Sequence, residues 1–218
     1  MAVVTLARLI GARAHEVGEL TAARLSAELV DRHLIDEVAR RLQVPAAQIE
    51  ELDEAPSSRF DRLLEQLASG SFEVTVASPL EGWDAPLGGD AMLRNPKQAT
   101  VRVTDAVIQQ LILRGGAVIV GRGAAFIARA HPSALRVLLW AELDRRVAEV
   151  AKIQSVDEAA ARRLVKETDA NWRGYARHFY GTDLMDPSNY DLVIDTGRIP
   201  PPLAADIIAS AASNLEKE

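Results

Sequence analysis

Three stretches of this 218-residue chain combine cations, small residues and aromatics in ways that suit the handling of phosphate groups. The first follows an opening apolar run and reads LARLIGARAHEVG, residues 6–18. Backbone N–H groups at the start of a helix point at an anion and carry the positive end of its dipole, so a loop that enters a helix is a natural phosphate cradle. A full Walker-type loop reads GxxxxGK[ST]. Here only Gly11 stands in the loop proper, without a Lys and without a following Ser or Thr. Arg8, Arg13 and His15 either bring charge to this loop or face water, and the same residues also fit an ordinary strand–helix turn.

The second stretch is Gly121-Arg122-Gly123, directly after the apolar run AVIV. Glycines on both sides let the backbone approach a ligand closely and hold Arg122 at a strand end, where it is either a phosphate clamp or the partner of Asp36, Glu37 or Asp53. The third is KETDANWRGYARHFYG, residues 166–181. At helical spacing Asp169 and Arg173 share a face, as do Arg173 and Arg177, beside Trp172, Tyr175 and Tyr180. That face suits a lid whose arginines neutralise charge on a transferring phosphoryl group, or a surface helix laced by one Asp–Arg pair. Arg145 and Arg146 either lean over the same site or face water. The four histidines are scattered and there is no cysteine, so no metal site, disulfide or thiolate nucleophile is expected.

These residues need elements to carry them. The spacing predicts a strand over 2–6, a helix over about 12–29, helices over 31–42, 46–54 and from about 60 to near Gly70, and a helix over 103–113. Strands are expected at 117–120, 135–140 and 190–194, with helices at 124–129, 143–153, 156–179 and 203–215. Residues 71–97, rich in Pro and Gly, have no sustained period and predict a loop-rich projection, suited to meeting a partner around Phe72, Trp83 and Leu87. Repeated strand–helix alternation with runs apolar on both faces predicts an α/β fold with a parallel sheet and a ligand at the carboxyl ends of the strands. The whole is expected to be one domain over 1–218, with a lid-like helical region at about 156–181.

With 25 Lys+Arg against 31 Asp+Glu, the net charge of -6 argues against a broad nucleic-acid surface while leaving room for a small anionic ligand. The apolar run at the start is far shorter than a membrane span, and with the lack of cysteine this leads us to expect a cytoplasmic protein without a membrane partner.

In order and spacing, VDRHLIDEVARRL, DEAPSS, AVIVGRGAAFIARAHPSALRVLLWAELDRRV and SNYDLVIDTGRI resemble the cytidylate kinase-like family, a branch of the P-loop nucleoside monophosphate kinases, from about Val3 to Ala212. The resemblance implies a three-layer fold with a parallel five-stranded sheet, ATP with Mg2+ at the first loop, a nucleoside monophosphate or other phosphorylated small molecule in the adjacent cleft, CMP first, and a mobile lid. By the same resemblance Arg8, Gly11, Ala12, Arg13, Ala14, His15 and Glu16 line the ATP site, and Arg122, Asp169, Arg173 and Arg177 are the catalytic set. The family pattern ISREYGSGGRE becomes LARLIGARAHE here, so Arg13 stands where the pattern has Gly and His15 where it has Arg. The family's lid Arg, three residues after Asp, becomes Trp172, and its Asn-Thr after the last strand becomes Asp195-Thr196. Two alternatives stay open beside the kinase: a noncatalytic phospho-ligand binder, and a regulatory interaction module. A homodimer through the lateral helices is compatible with either.

Overall fold

The computed structural model describes residues 2–30, 105, 108–109 and 111–215. The chain divides into two compact units, Met1–Asp31 with Ile108–Glu218, and Arg32–Val107, and the description below concerns the first. The helices expected over 31–42, 46–54 and 60–70, the projection at 71–97 and the proposed partners Asp36, Glu37 and Asp53 lie outside the described residues.

The strands are β1 (Val3–Arg8), β2 (Glu28–Val30), β3 (Ala117–Val120), β4 (Ala134–Trp140) and β5 (Leu192–Asp195), in the parallel order β2-β3-β1-β4-β5. β1 and β3 read VVTLAR and AVIV and are buried on both faces, as parallel strands covered by helices must be. Side-chain alternation sends Val4, Leu6, Val118, Val120, Val137 and Leu139 to one face, where they join Val17 of α1 (Ala14–Leu25) and Ala204 and Ile208 of α5 (Pro201–Leu215). Ala7 and Leu138 point to the opposite face, against Phe126 of α2 (Ala124–Ile127) and Ala176 of α4 (Glu158–Tyr180). The one buried polar residue within β1, Thr5, has its hydroxyl directed at the Leu135 carbonyl, so it leaves no unmet group between the layers.

Helices α3 (Leu143–Gln154) and α4 pack on each other through Val147, Val150, Ala161 and Val165, with Ile10 of the first loop against the same cluster. Asp157 caps α4 by accepting from the Ala160 N–H at 2.7 Å, and Gly181 ends it at φ 64° with its N–H directed to the last carbonyls. The expected segments at 117–120, 135–140, 143–153 and 203–215 match observed elements to within two residues, and 105, 108–109 and 111–114 are helical.

One expectation fails at the end of α1. The helix read as running to Leu29 stops at Leu25, because Ser26 turns into the left-handed region at φ 51° and its N–H closes on the Ala22 and Ala23 carbonyls. That turn releases Glu28–Val30 to pair with β3, starting from the Glu28 N–H bond to the Gly116 carbonyl at 2.8 Å. The last strand is also shifted toward the carboxyl side. Tyr190 precedes it and packs its ring by Phe126 while its hydroxyl donates to the Leu184 carbonyl at 2.7 Å.

Candidate phosphate site

The carboxyl ends of β1 and β3 adjoin, since Leu6 pairs with Val120 and the Gly121 N–H donates to the Leu6 carbonyl at 2.9 Å. Both strands run into loops with left-handed backbone. After β1, the Ala12 N–H closes a turn on the Leu9 carbonyl at 3.1 Å, with Gly11 at φ 78°. A Cβ at Gly11 would stand 2.6 Å from the Arg146 carbonyl oxygen, so this position excludes other residues by contact as well as by conformation. Arg13 then takes φ 54° and ψ 32° immediately before α1, which has no side-chain cap at its start. A non-glycine residue in this region carries a cost of about 1–2 kcal/mol, which the surroundings must sustain.

Two buried side chains from distant parts of the sequence brace the loop residues just before it. Arg146, with 6% of its side chain exposed, donates to the Ala141 carbonyl at 2.9 Å and the Ile10 carbonyl at 3.4 Å. The rest of its guanidinium grips both oxygens of Asp169 on α4, at 2.9 and 2.8 Å. Arg146 therefore neither leans over the cleft nor faces water: it sits beneath the loop and ties it to the lid-like helix. The Thr196 hydroxyl, just past β5, is 2.9 Å from the Ala12 carbonyl and 3.0 Å from that of Trp140, donating to one at a time.

The side chains of the first loop are themselves engaged. Arg13 pairs with Glu16 at 2.7 Å, and His15 stands 3.3 Å from Glu19 on the exposed side of α1. Arg8 is the last residue of β1 rather than a loop residue, and its guanidinium stacks on the Trp172 ring at 4.8 Å from the centroid. Ala12 and Ala14 are buried against the core.

After β3, Gly121, Arg122 and Gly123 occupy the left-handed region in succession, at φ 78°, 58° and 73°. Gly123 is fixed by the lid-like helix, because a Cβ there would meet the Tyr180 hydroxyl at 2.3 Å, and Tyr180 in turn stacks near Phe126 with centroids 5.0 Å apart. Arg122 is half-buried at the rim.

The lid arginines gather elsewhere than the spacing suggested. The bidentate partner of Asp169 is Arg146, not Arg173. Arg177 instead bonds Asp183, and the Met185 N–H together with Arg177 and nearby Arg173 holds the Asp183 carboxyl below its ordinary range. Arg145 lays its stem across Gly197, whose N–H donates to Asp195 at 2.9 Å. Among the described residues no group of three or more His, Cys, Asp or Glu side chains is placed to hold a metal, and no helix is long and apolar enough to cross a membrane.

A model of the cytidylate kinase-like family matches residues 3–198. The chain belongs to that family. Among curated proteins, this cytidylate kinase-like chain is 30% identical over 110 residues to a cytidylate kinase of Methanocaldococcus jannaschii, covering 50% of this chain and 62% of the relative. It is 35% identical over 92 residues to a cytidylate kinase of Methanopyrus kandleri, covering 38% and 48%. The chain thus spans about half the length of the curated relatives it matches. Among solved structures, an uncharacterized protein from Eubacterium ventriosum superposes with a TM-score of 0.66 at 18% identity, covering 98% of this chain and 99% of that one. A shikimate kinase from Bacteroides thetaiotaomicron superposes with a TM-score of 0.50 at 11% identity over 100% of this chain and 99% of that one. These likenesses establish the α/β kinase-like fold with its parallel sheet.

Sequence reasoning missed Arg146 as the buttress of the loop, and it missed the Arg8–Trp172 stack. A signal for the first was present: an Arg near the start of the helix after β4 and an acid on the next helix, in a chain where most cations are Arg.

Proposed function

We propose that this family member is a nucleotide kinase that moves the terminal phosphoryl group of Mg-ATP to a nucleoside monophosphate, with CMP the first acceptor to test. The observation that supports this reading is the first loop: Arg13 occupies the glycine position of the family pattern yet keeps a backbone conformation that glycine takes freely, in a loop braced at Ile10 by Arg146 and at Ala12 by Thr196. A backbone so braced retains what phosphate needs most, a set of N–H groups at an uncapped helix start. The names of the archaeal relatives point to the same chemistry.

The residues fit a phosphate chain through backbone groups from Gly11 to His15 better than through side chains. Bound Mg-ATP would supply the phosphoryl group and part of its charge neutralisation. Arg122, at the end of β3, orients the acceptor phosphate. Arg173 and Arg177 are the lid cations that neutralise developing charge when drawn from Asp183. Positioning and electrostatics suffice for phosphoryl transfer, so no covalent intermediate is required.

The test is direct separation of products after incubation with Mg-ATP and a panel of nucleoside monophosphates, with background ATP hydrolysis recorded. Acceptor-dependent diphosphate, reduced about 100-fold in kcat/KM by Arg122→Ala, is the expected result. Folded protein that forms no product with any acceptor would sink the kinase reading.

A second reading, binding without transfer, is favoured by the contacts of Arg13 with Glu16 and of His15 with Glu19, which engage the loop's own polar side chains. It expects calorimetric binding of nucleotides by the wild type without turnover, and turnover gained in the double variant Arg13→Gly/His15→Lys.

A further inference from the structure

The hydroxyl of Thr196 stands between two carbonyls, those of Ala12 and Trp140, and has one proton for them. The Trp140 carbonyl already accepts from the Thr196 N–H at 2.8 Å, whereas among the described residues the Ala12 carbonyl has no other donor. The proton therefore belongs on Ala12, because a buried acceptor left unmet is the costlier arrangement. Across a trans peptide the N–H points opposite to the C=O, and no cis bond occurs among the described residues. With the Ala12 carbonyl turned onto Thr196, the Arg13 N–H is aimed away from it. Two peptides earlier the same holds: Arg146 takes the Ile10 carbonyl at 3.4 Å, so the Gly11 N–H is aimed away from Arg146. The N–H between them, that of Ala12, turns back onto the Leu9 carbonyl at 3.1 Å. Among the described residues nothing accepts from the Gly11 or Arg13 N–H, and both residues have left-handed backbone, a conformation from which neighbouring N–H groups build an anion-binding concavity.

We infer that Thr196 is a positioning residue for phosphate binding: its hydroxyl, held on the Ala12 carbonyl, fixes the peptide whose Arg13 N–H donates to a phosphate of the bound nucleotide. The groups form one chain, hydroxyl to carbonyl and N–H to phosphate, and each hydrogen bond polarises the peptide in the sense that strengthens the other. Thr196 acts through the backbone and does not touch the ligand. A residue just past the last strand thus sets the direction and strength of a donor in the first loop, and it acts on phosphate whatever base the nucleotide carries.

This inference rests on the nucleotide reading above and is tested with the full chain by titration calorimetry, using Mg-ATP and, as a probe with neither base nor ribose, inorganic tripolyphosphate. Wild-type protein is measured first; if it binds neither probe, the nucleotide reading itself fails and takes this inference with it. Given wild-type binding, Thr196→Val keeps the shape, removes the hydroxyl and should weaken both probes by the same factor, about three- to tenfold. Thr196→Ser keeps the hydroxyl and should bind both within about twofold of wild type. Tyr190→Phe removes another buried hydroxyl, the one that donates to the Leu184 carbonyl at 2.7 Å shortly before the same strand, and should lower the melting temperature without changing either affinity. One measurement needs no variant and decides the matter even if Thr196→Val does not fold. On adding tripolyphosphate to wild-type protein, the Arg13 and Gly11 amide proton resonances should move downfield as they gain an acceptor, well beyond that of Ala12, which is already turned onto Leu9. An unchanged affinity in folded Thr196→Val, an equal loss in Thr196→Ser, or an Arg13 amide that stays in place while the probe binds overturns the inference and leaves the nucleotide reading standing. So does a loss in Tyr190→Phe as large as that in Thr196→Val, which would mean that binding follows stability alone, and so does a loss confined to Mg-ATP.

Discussion

Two loops of this molecule hold an arginine in the left-handed region, Arg13 after β1 and Arg122 after β3, and they hold it by different means. The second loop carries its shape in its own sequence, with glycine on either side of Arg122. The first has one glycine two residues before its arginine, and its shape is imposed from outside by Arg146 beneath and Thr196 beside it. A loop that keeps its glycines has its geometry locally encoded. A loop that has lost one can keep its geometry if buried hydrogen bonds from other elements replace local preference, and it then depends on those elements.

The largest effect should come from removing the external support. Arg146→Ala leaves the largely buried Asp169 carboxylate without its partner and is expected to cost about 3–5 kcal/mol in urea denaturation. A cost under about 1 kcal/mol would mean that the first loop holds itself, and the contrast between the loops would collapse.

In the second loop the decisive residue is internal. Gly123→Ala places a methyl group against the Tyr180 ring and should cost about 2–4 kcal/mol, whereas Gly121→Ala meets nothing among the described residues and should cost only the conformational strain, about 1 kcal/mol. Equal costs for the two would show that Tyr180 yields easily and that the lid-like helix does not set this loop.

A smaller effect tests a third clamp remote from both loops. Arg136 of β4 donates to Asp191 through its guanidinium and its backbone N–H, and although partial burial pushes the Asp191 carboxyl upward, these bonds outweigh it and lower its pKa. A depressed carboxyl contributes stability that is present above its unfolded-state value and is lost as pH falls through the folded value. Denaturation at a series of pH values should show about 0.5–1 kcal/mol of stability lost below about pH 4, and Asp191→Asn should abolish that part of the slope. The smallest expected change is a gain: Arg13→Gly relieves left-handed strain but frees the unfolded chain, for a net stabilisation of about 0.5 kcal/mol in the same measurement.

Much of the sheet was legible because parallel strands buried on both faces stand out as short apolar runs; AVIV at 117–120 needed nothing more. β2 was not, because its three residues are too few to show a period and lie beyond Ser26, a residue whose type does not announce a left-handed turn. At the site, Gly121-Arg122-Gly123 was visible as a pattern and found at a strand end. Asp169 was assigned a neighbour on its own helix because spacing along one helix is all a sequence displays, while its actual partner, Arg146, is supplied by the packing of α3 on α4. The Arg8–Trp172 stack joins β1 to α4 and has no local signature at all.

The hydroxyl of Thr196 reaches the carbonyl of Ala12 across 184 residues of sequence. During synthesis the first loop therefore waits for 184 further residues before this brace exists. A chain ending before β5 carries the letters of the first loop without that hold on its form, so any assay of ligand binding at this loop also tests whether β5 has taken its place.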